Sequence, residues 1–164
     1  MSRVMLELLH GKHAHTDSRT CVDVPFEVAA TRGEGLPHTI WQLVWHVNYW
    51  MDYELLRIAG TPRPYPEHAA SSWPEPSPSG AEEWQAEVAR FGRLLGRLGE
   101  LAQASPEDLA RVVGATDKAE AAHASSLEAV LWQTLVHNSY HLGQVVQVRQ
   151  ALGAWPPKSG SDTW

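Results

Sequence analysis

Leu135-Val136-His137-Asn138-Ser139-Tyr140-His141-Leu142-Gly143-Gln144 is the stretch on which the fold turns. Read as a helix, it sets His137 and His141 one above the other on a single face. Thr134, Gln144, Val130 and Val148 fall on the same narrow strip. Leu127, Leu131, Leu135, Leu142, Val145 and Val146 form an apolar arc that begins beside it. The two imidazoles therefore border a helical core rather than water. Ser125-Ser126-Leu127-Glu128 reads as the capping box that opens this helix. Gly153, with Pro156 and Pro157 just beyond, closes it.

Three further long segments carry helical signals. Val4, Met5, Leu8 and Leu9 are spaced as one face of a helix over residues 2–15. Thr39-Ile40-Trp41-Gln42 is a capping box whose helix ends at Gly60-Thr61-Pro62. Ser79-Gly80-Ala81-Glu82 opens a segment reaching about Gln103. This segment contains Gly92, Gly96 and Gly99, each costing roughly 1 kcal/mol against alanine. Close backbone approach to a neighbouring helix is the expected compensation. Short helices are predicted near Phe26–Thr31 and from Ser105-Pro106-Glu107-Asp108. Residues 16–38 form a long first crossover. Residues 60–78 hold six prolines and are predicted to wrap the surface in extended form. With no internal repeat and no alternation of strand type, the expected fold is all-α: a four-helix bundle with long crossover connections, one domain over residues 1–164.

Composition narrows the function. The 164 residues are 43% hydrophobic and 20% charged, as in ordinary globular proteins, and no apolar run reaches the roughly eighteen residues of a membrane span. A net charge of −6 with scattered basic residues argues against nucleic-acid binding. The start Met1-Ser2-Arg3-Val4 has no signal-peptide pattern, and the single cysteine, Cys21, allows no internal disulfide. A cytoplasmic protein is expected, with Cys21 a small buried side chain.

His46 sits in the strongly apolar run Ile40 to Trp50, on a strip with Thr39, Leu43, Trp50, Tyr53 and Arg57, and cannot avoid the interior. A lone imidazole there would be a core residue bonded to a backbone carbonyl. Three imidazoles in one half-dry place repel once protonated, and a divalent cation removes that cost. His46, His137 and His141 are therefore the candidate metal ligands. A zinc-protease site is excluded, because the position after His137 is Asn138 rather than a glutamate. The rival is a dinuclear carboxylate site built from Glu7-Leu8-Leu9-His10 and Glu120-Ala121-Ala122-His123, with Glu54 and Glu87 bridging. Surface positions are expected for most of His13, His15, His38, His68 and His123. Trp41, Trp45, Trp50 and Trp132 are expected in the core, with Trp73 and Trp155 as lids at the bundle ends.

Pro37-His38-Thr39-Ile40-Trp41-Gln42-Leu43-Val44-Trp45-His46 and His137-Asn138-Ser139-Tyr140-His141-Leu142-Gly143-Gln144 together resemble the two motifs of the DinB/YfiT-like superfamily of metal-binding four-helix bundles. The resemblance spans essentially the whole chain, and all three ligand positions of the family are filled. It implies a divalent metal ion held by His46, His137 and His141 with water in the open positions, zinc or nickel first and manganese or iron as alternatives. It also implies a homodimer. The characterised enzymes of this group resemble transferases and isomerases that use a low-molecular-weight thiol and an electrophilic small molecule. Other members are known only as stress-related proteins.

A thiol-dependent transferase, a metal-assisted hydrolase and a non-enzymatic metal-binding module all remain open on the sequence. Gln144 is expected to orient a ligand or a bound water. No general base is evident beside the three histidines, and packing is the expected job of Tyr140. A pocket lined by Arg57, Tyr53 and Trp50 would speak for an enzyme. A site closed by Leu43 and Val148, or by Cys21 or a carboxylate as fourth ligand, would speak for a structural metal.

Overall fold

The computed structural model describes residues 2–114 and 125–158. Seven α-helices are present among them: α1 (Ser2–Leu9), α2 (Ser18–Val22), α3 (Phe26–Ala30), α4 (Ile40–Ile58), α5 (Ala81–Leu101), α6 (Pro106–Ala110) and α7 (Leu127–Ala151). The architecture is the expected all-α one. α4 packs on both α7 and α5, and α1 lies against α5 and α7, so these four enclose the core. Met51, Leu95, Leu98, Leu131, Val130 and Ile40 are fully buried between them. None of the helices is long and apolar enough to cross a membrane.

α4 starts where its capping box dictates. Thr39 Oγ1 accepts from the Gln42 backbone N–H, and Gln42 Oε1 accepts from that of Thr39, both at 3.2 Å. The helix is buried almost all round, which carries His46 inward with it. In α7, Ser126 rather than Ser125 is the N-cap, accepting from Ala129 N–H at 3.2 Å. At α5 the expected capping box does not form: the N-cap is Gly80, which has no side chain to cap with, and Ser79 bonds one residue further on than Glu82. Glu83 accepts from both the N–H and the hydroxyl of Ser79, at 2.6 and 2.8 Å, and these bonds lower its pKa.

Several boundaries differ from expectation. α1 ends at Leu9, not near residue 15, because Gly11 takes φ +84° and lets Lys12 N–H bond back to Glu7 O at 3.0 Å. Within the first crossover, α2 was not anticipated. It is one short turn capped by Asp17, too brief to show a period. Val112–Val113 and Ser125–Ser126 form a two-residue antiparallel ladder, also too short for alternation to reveal. The expected glycine compensation in α5 holds at one position. A Cβ on Gly99 would lie 3.0 Å from Leu6 Cδ1 of α1, whereas at Gly92 and Gly96 it would meet nothing within 4 Å.

Residues 60–78 run largely extended, with one 3-10 turn at Ala69–Ser72. Their final stretch is strapped along α4 by side chains of that helix or its cap. Thr39 Oγ1 donates to Pro76 O (2.9 Å), Trp41 Nε1 to Glu75 O (3.0 Å) and Gln42 Nε2 to Pro74 O (3.2 Å). A proline-rich segment has no ladder of its own, so its carbonyls need such donors when they lie against a core.

Candidate metal centre

α7 supplies His137 and His141, α4 supplies His46, and the three converge. One ring nitrogen from each lies within 4.8 Å of the others. Ring centroids are 4.6 Å apart for His137–His141, 4.7 Å for His46–His141 and 5.3 Å for His46–His137. Two of the rings are anchored through their outer nitrogen. His46 Nδ1 donates to Ser72 O at 2.8 Å, and His141 Nδ1 donates to Gln144 Oε1 at 2.7 Å. Each of these bonds sets the tautomer that leaves Nε2 as a lone-pair donor, the arrangement expected of imidazoles awaiting an ion. The donor set fits a divalent cation. Among the described residues no cysteine or carboxylate joins the group.

Burial keeps the cluster uncharged. Desolvation pushes His46 and His137 down to about 4, reinforced by the neighbouring imidazoles. The Ser72 carbonyl opposes the shift at His46, and the Asn138 amide opposes it at His137. His141 is lowered as well, again chiefly by burial, against the raising effect of Gln144. Acid sensitivity of the metal-free protein follows. Between the ordinary value of 6.5 and about 4, the unfolded chain takes up protons that the native rings refuse. Stability is therefore expected to fall as pH drops through that window and to level off below it. Urea midpoints of metal-free protein at pH 7, 5.5 and 4.5 check this; a constant midpoint would mean the rings are solvated.

Aromatic side chains frame the cluster. Trp73 is sandwiched between His46 and His38, with centroids 3.9 Å apart on either side and planes within 9° and 6° of parallel. Trp73 thus covers the site, as its expected role as a lid implies. His38, in the group of histidines of which most are expected at the surface, is half-buried in this stack. His15 is also drawn in, its Nε2 lying 3.3 Å from Ser139 Oγ. On the other side an open cavity of about 310 Å³ reaches His137, walled by Trp50, Glu54, Tyr65, Gln133 and Thr134. Only Trp50 of the three anticipated lining residues contributes. Tyr53 is 2% exposed, and Arg57 turns inward to Glu54 Oε2 (3.1 Å) and Gly114 O (3.2 Å). Sequence reasoning missed Ser72 and Tyr65 at the site, put Trp73 at a bundle end rather than against His46, and weighed Glu54 only as a bridging carboxylate. The first three come from the proline-rich connector, whose path no periodicity encodes.

The remaining candidates separate cleanly. Cys21 is buried as expected, and burial pushes its thiol up to about 11. Leu43 and Val148 belong to the core. The dinuclear carboxylate rival loses its bridging groups. Glu87 accepts from Asn48 Nδ2 (2.8 Å) and Arg90 (3.1 Å), and Glu54 is paired with Arg57. Glu7 pairs with Arg3, and the Glu120 and His123 pair lies outside the described residues. Two aromatic assignments are corrected. Trp132 is 38% and Tyr140 64% exposed, because both lie on the outward side of α7.

Fold and site together define a helical bundle with a buried cluster of three histidines that could hold a metal ion. The chain belongs to the DinB superfamily, whose family profile matches residues 16–145. No curated protein and no solved structure gives a significant match.

Proposed function

We propose that this chain is a divalent-metal protein in which His46, His137 and His141 hold one ion, zinc or nickel in the first instance, and that it acts as a thiol-dependent transferase. The observation that carries the reading is the cavity of about 310 Å³ that opens onto His137. A purely structural metal has no need of such an opening. An ion held by three neutral imidazoles keeps its full charge and lowers the pKa of a bound water or thiol toward neutrality. Ser72 and Gln144 orient His46 and His141. Trp73 shields the cluster from solvent on its closed side. Trp50 and Tyr65, with centroids 5.6 Å apart, offer aromatic walls for the apolar part of an electrophilic substrate.

Cobalt-substituted protein tests the thiol reading. Titration with a small thiol should shift the visible bands and add a thiolate charge-transfer band, reversibly on dilution. A spectrum blind to thiols removes the transferase. Metal-assisted hydrolysis is the second reading, favoured by the Glu54 carboxylate in the cavity wall, which is held by Arg57 at 3.1 Å and could orient a bound water from there. In that case the cobalt spectrum would respond to pH and not to thiols.

A homodimer is part of the same proposal. Trp132, Val136 and Tyr140 recur at four-residue spacing along α7 and are 38%, 63% and 64% exposed, an apolar stripe facing outward. Sedimentation at micromolar concentration should give twice the 18.2 kDa chain mass, and Val136→Glu should halve it. A monomeric wild-type protein would rule the dimer out.

A further inference from the structure

We propose that residues 62–68 are a hinged wall of the cavity, latched in place by the ion pair of Arg63 with Asp52 and released when that pair breaks. The wall serves the function proposed above, but its motion needs neither metal nor substrate to be read. Trp50 and Glu54 of α4 and Gln133, Thr134 and His137 of α7 line the cavity. Among the described residues, Tyr65 is the one lining side chain from outside these two helices. Where Tyr65 stands therefore decides how wide the trough between α4 and α7 opens.

Little holds it there. From Pro62 to Glu67 no backbone N–H or C=O bonds to the backbone of a described residue. The last such bond before the stretch is Thr61 N–H to Leu56 O at 3.0 Å, and the first after it is Ser71 N–H to His68 O at 2.9 Å. Tyr65 is 55% exposed and meets Trp50 and Tyr53 at centroid distances of 5.6 and 6.0 Å. Arg63 supplies the rest. Its Nη2 donates to Asp52 Oδ2 at 2.6 Å, and its guanidinium lies 5.6 Å from the Tyr49 ring centroid. The paired side chains are 44% and 32% exposed, so salt screens the pair and its hold is weak. A segment with few buried contacts and no main-chain bonds belongs to the low-stability end of a fold.

The stretch is built to move as one piece. Pro62, Pro64 and Pro66 fix alternate φ angles and keep it extended. Gly60 precedes it with φ +77°, where a Cβ would meet nothing within 4 Å, so backbone conformation and not crowding calls for glycine. At the far end Ser72 and Trp73 are fixed on His46, through the 2.8 Å bond and the 3.9 Å stack. A stiff rod between a glycine and a pinned turn swings about its ends. Asp52 stays behind on α4, where it also accepts from Arg90 at 3.3 Å.

Metal-free protein carrying meta-fluorotyrosine and labelled threonine methyls reports on wall and cavity together. The Tyr65 fluorine line, assigned by its loss in Tyr65→Leu, should show millisecond exchange and move toward the free amino-acid position in high salt. Arg63→Gln should make the same move in low salt. It should also raise the broadening of the Thr134 methyl by a neutral nitroxide, up to about fivefold, the factor an exposed ion pair can hold. Arg90→Gln, which removes the other partner of Asp52, should do neither. An unmoved Tyr65 line in Arg63→Gln, or an equal move in Arg90→Gln, overturns the latch. A Tyr65 line that moves without added access to Thr134 overturns the wall. Movement and access together, with no zinc bound even by wild type, uphold the wall and remove the metal reading alone.

Discussion

Metal content is expected to collapse when any one of His46, His137 and His141 becomes alanine, while His13→Ala and His68→Ala retain it. The three ligand nitrogens come from two helices and lie within 4.8 Å of one another, so removing one leaves two imidazoles and no closed set. The loss in affinity should exceed the roughly 10–100-fold typical of outer partners, because a bond to the ion itself is removed. His13 and His68 are exposed and stand apart from the cluster. Elemental analysis of each purified variant, with circular dichroism to verify folding, reads the result. Full occupancy in His46→Ala would show that α4 contributes no ligand. Loss of metal on changing Glu7 or His10 would instead revive the dinuclear carboxylate site.

The second large effect lies far from the cluster, at Arg149. This residue is 3% exposed, and its guanidinium ties three chain segments together. Nη1 donates to Thr20 O and Cys21 O in the first crossover, at 2.7 and 2.8 Å, and Nε donates to Ala154 O past the end of α7, at 3.1 Å. The group also sits 4.8 Å above the Trp155 ring. Arg149→Ala strands these acceptors in a place water reaches poorly, a loss of roughly 3–5 kcal/mol. At about 2–4 °C per kcal/mol for a chain of this size, the thermal midpoint should drop by roughly 6–20 °C. Arg149→Lys should recover little, since one ammonium cannot reproduce the planar fork. An unchanged midpoint in the alanine variant would mean that apolar contacts alone hold the first crossover.

Gln144 and Arg149 lie in one helix, and their partners show what could be read ahead of the fold. Gln144 is one turn from His141, so local geometry sufficed to foresee a supporting role, and it bonds the His141 ring. Arg149 gave no such signal, because its partners in the first crossover, Cys21 and Thr20, lie 128 and 129 residues away. Trp132 and Tyr140 were expected to pack, on the strength of being aromatic. They face outward because they lie off the arc of Leu127, Leu131, Leu135 and Leu142.

From the sequence by itself came the all-α class, the long helices α4, α5 and α7 with a shorter α1 before them, the capping box at Thr39 and the convergence of His46 with His137 and His141. All of these depend on the helical repeat, on local hydrogen bonds, and on a second helix too apolar to leave the core. Tertiary structure alone decided what surrounds the histidines. Ser72 O, Trp73 and Tyr65 reach the site from a proline-rich connector that has no period, and its carbonyls are held by Thr39, Trp41, Gln42 and His46 one at a time. Which backbone carbonyl meets which side chain depends on the path of that segment across α4. That path is set by long-range packing and not by any spacing along the chain.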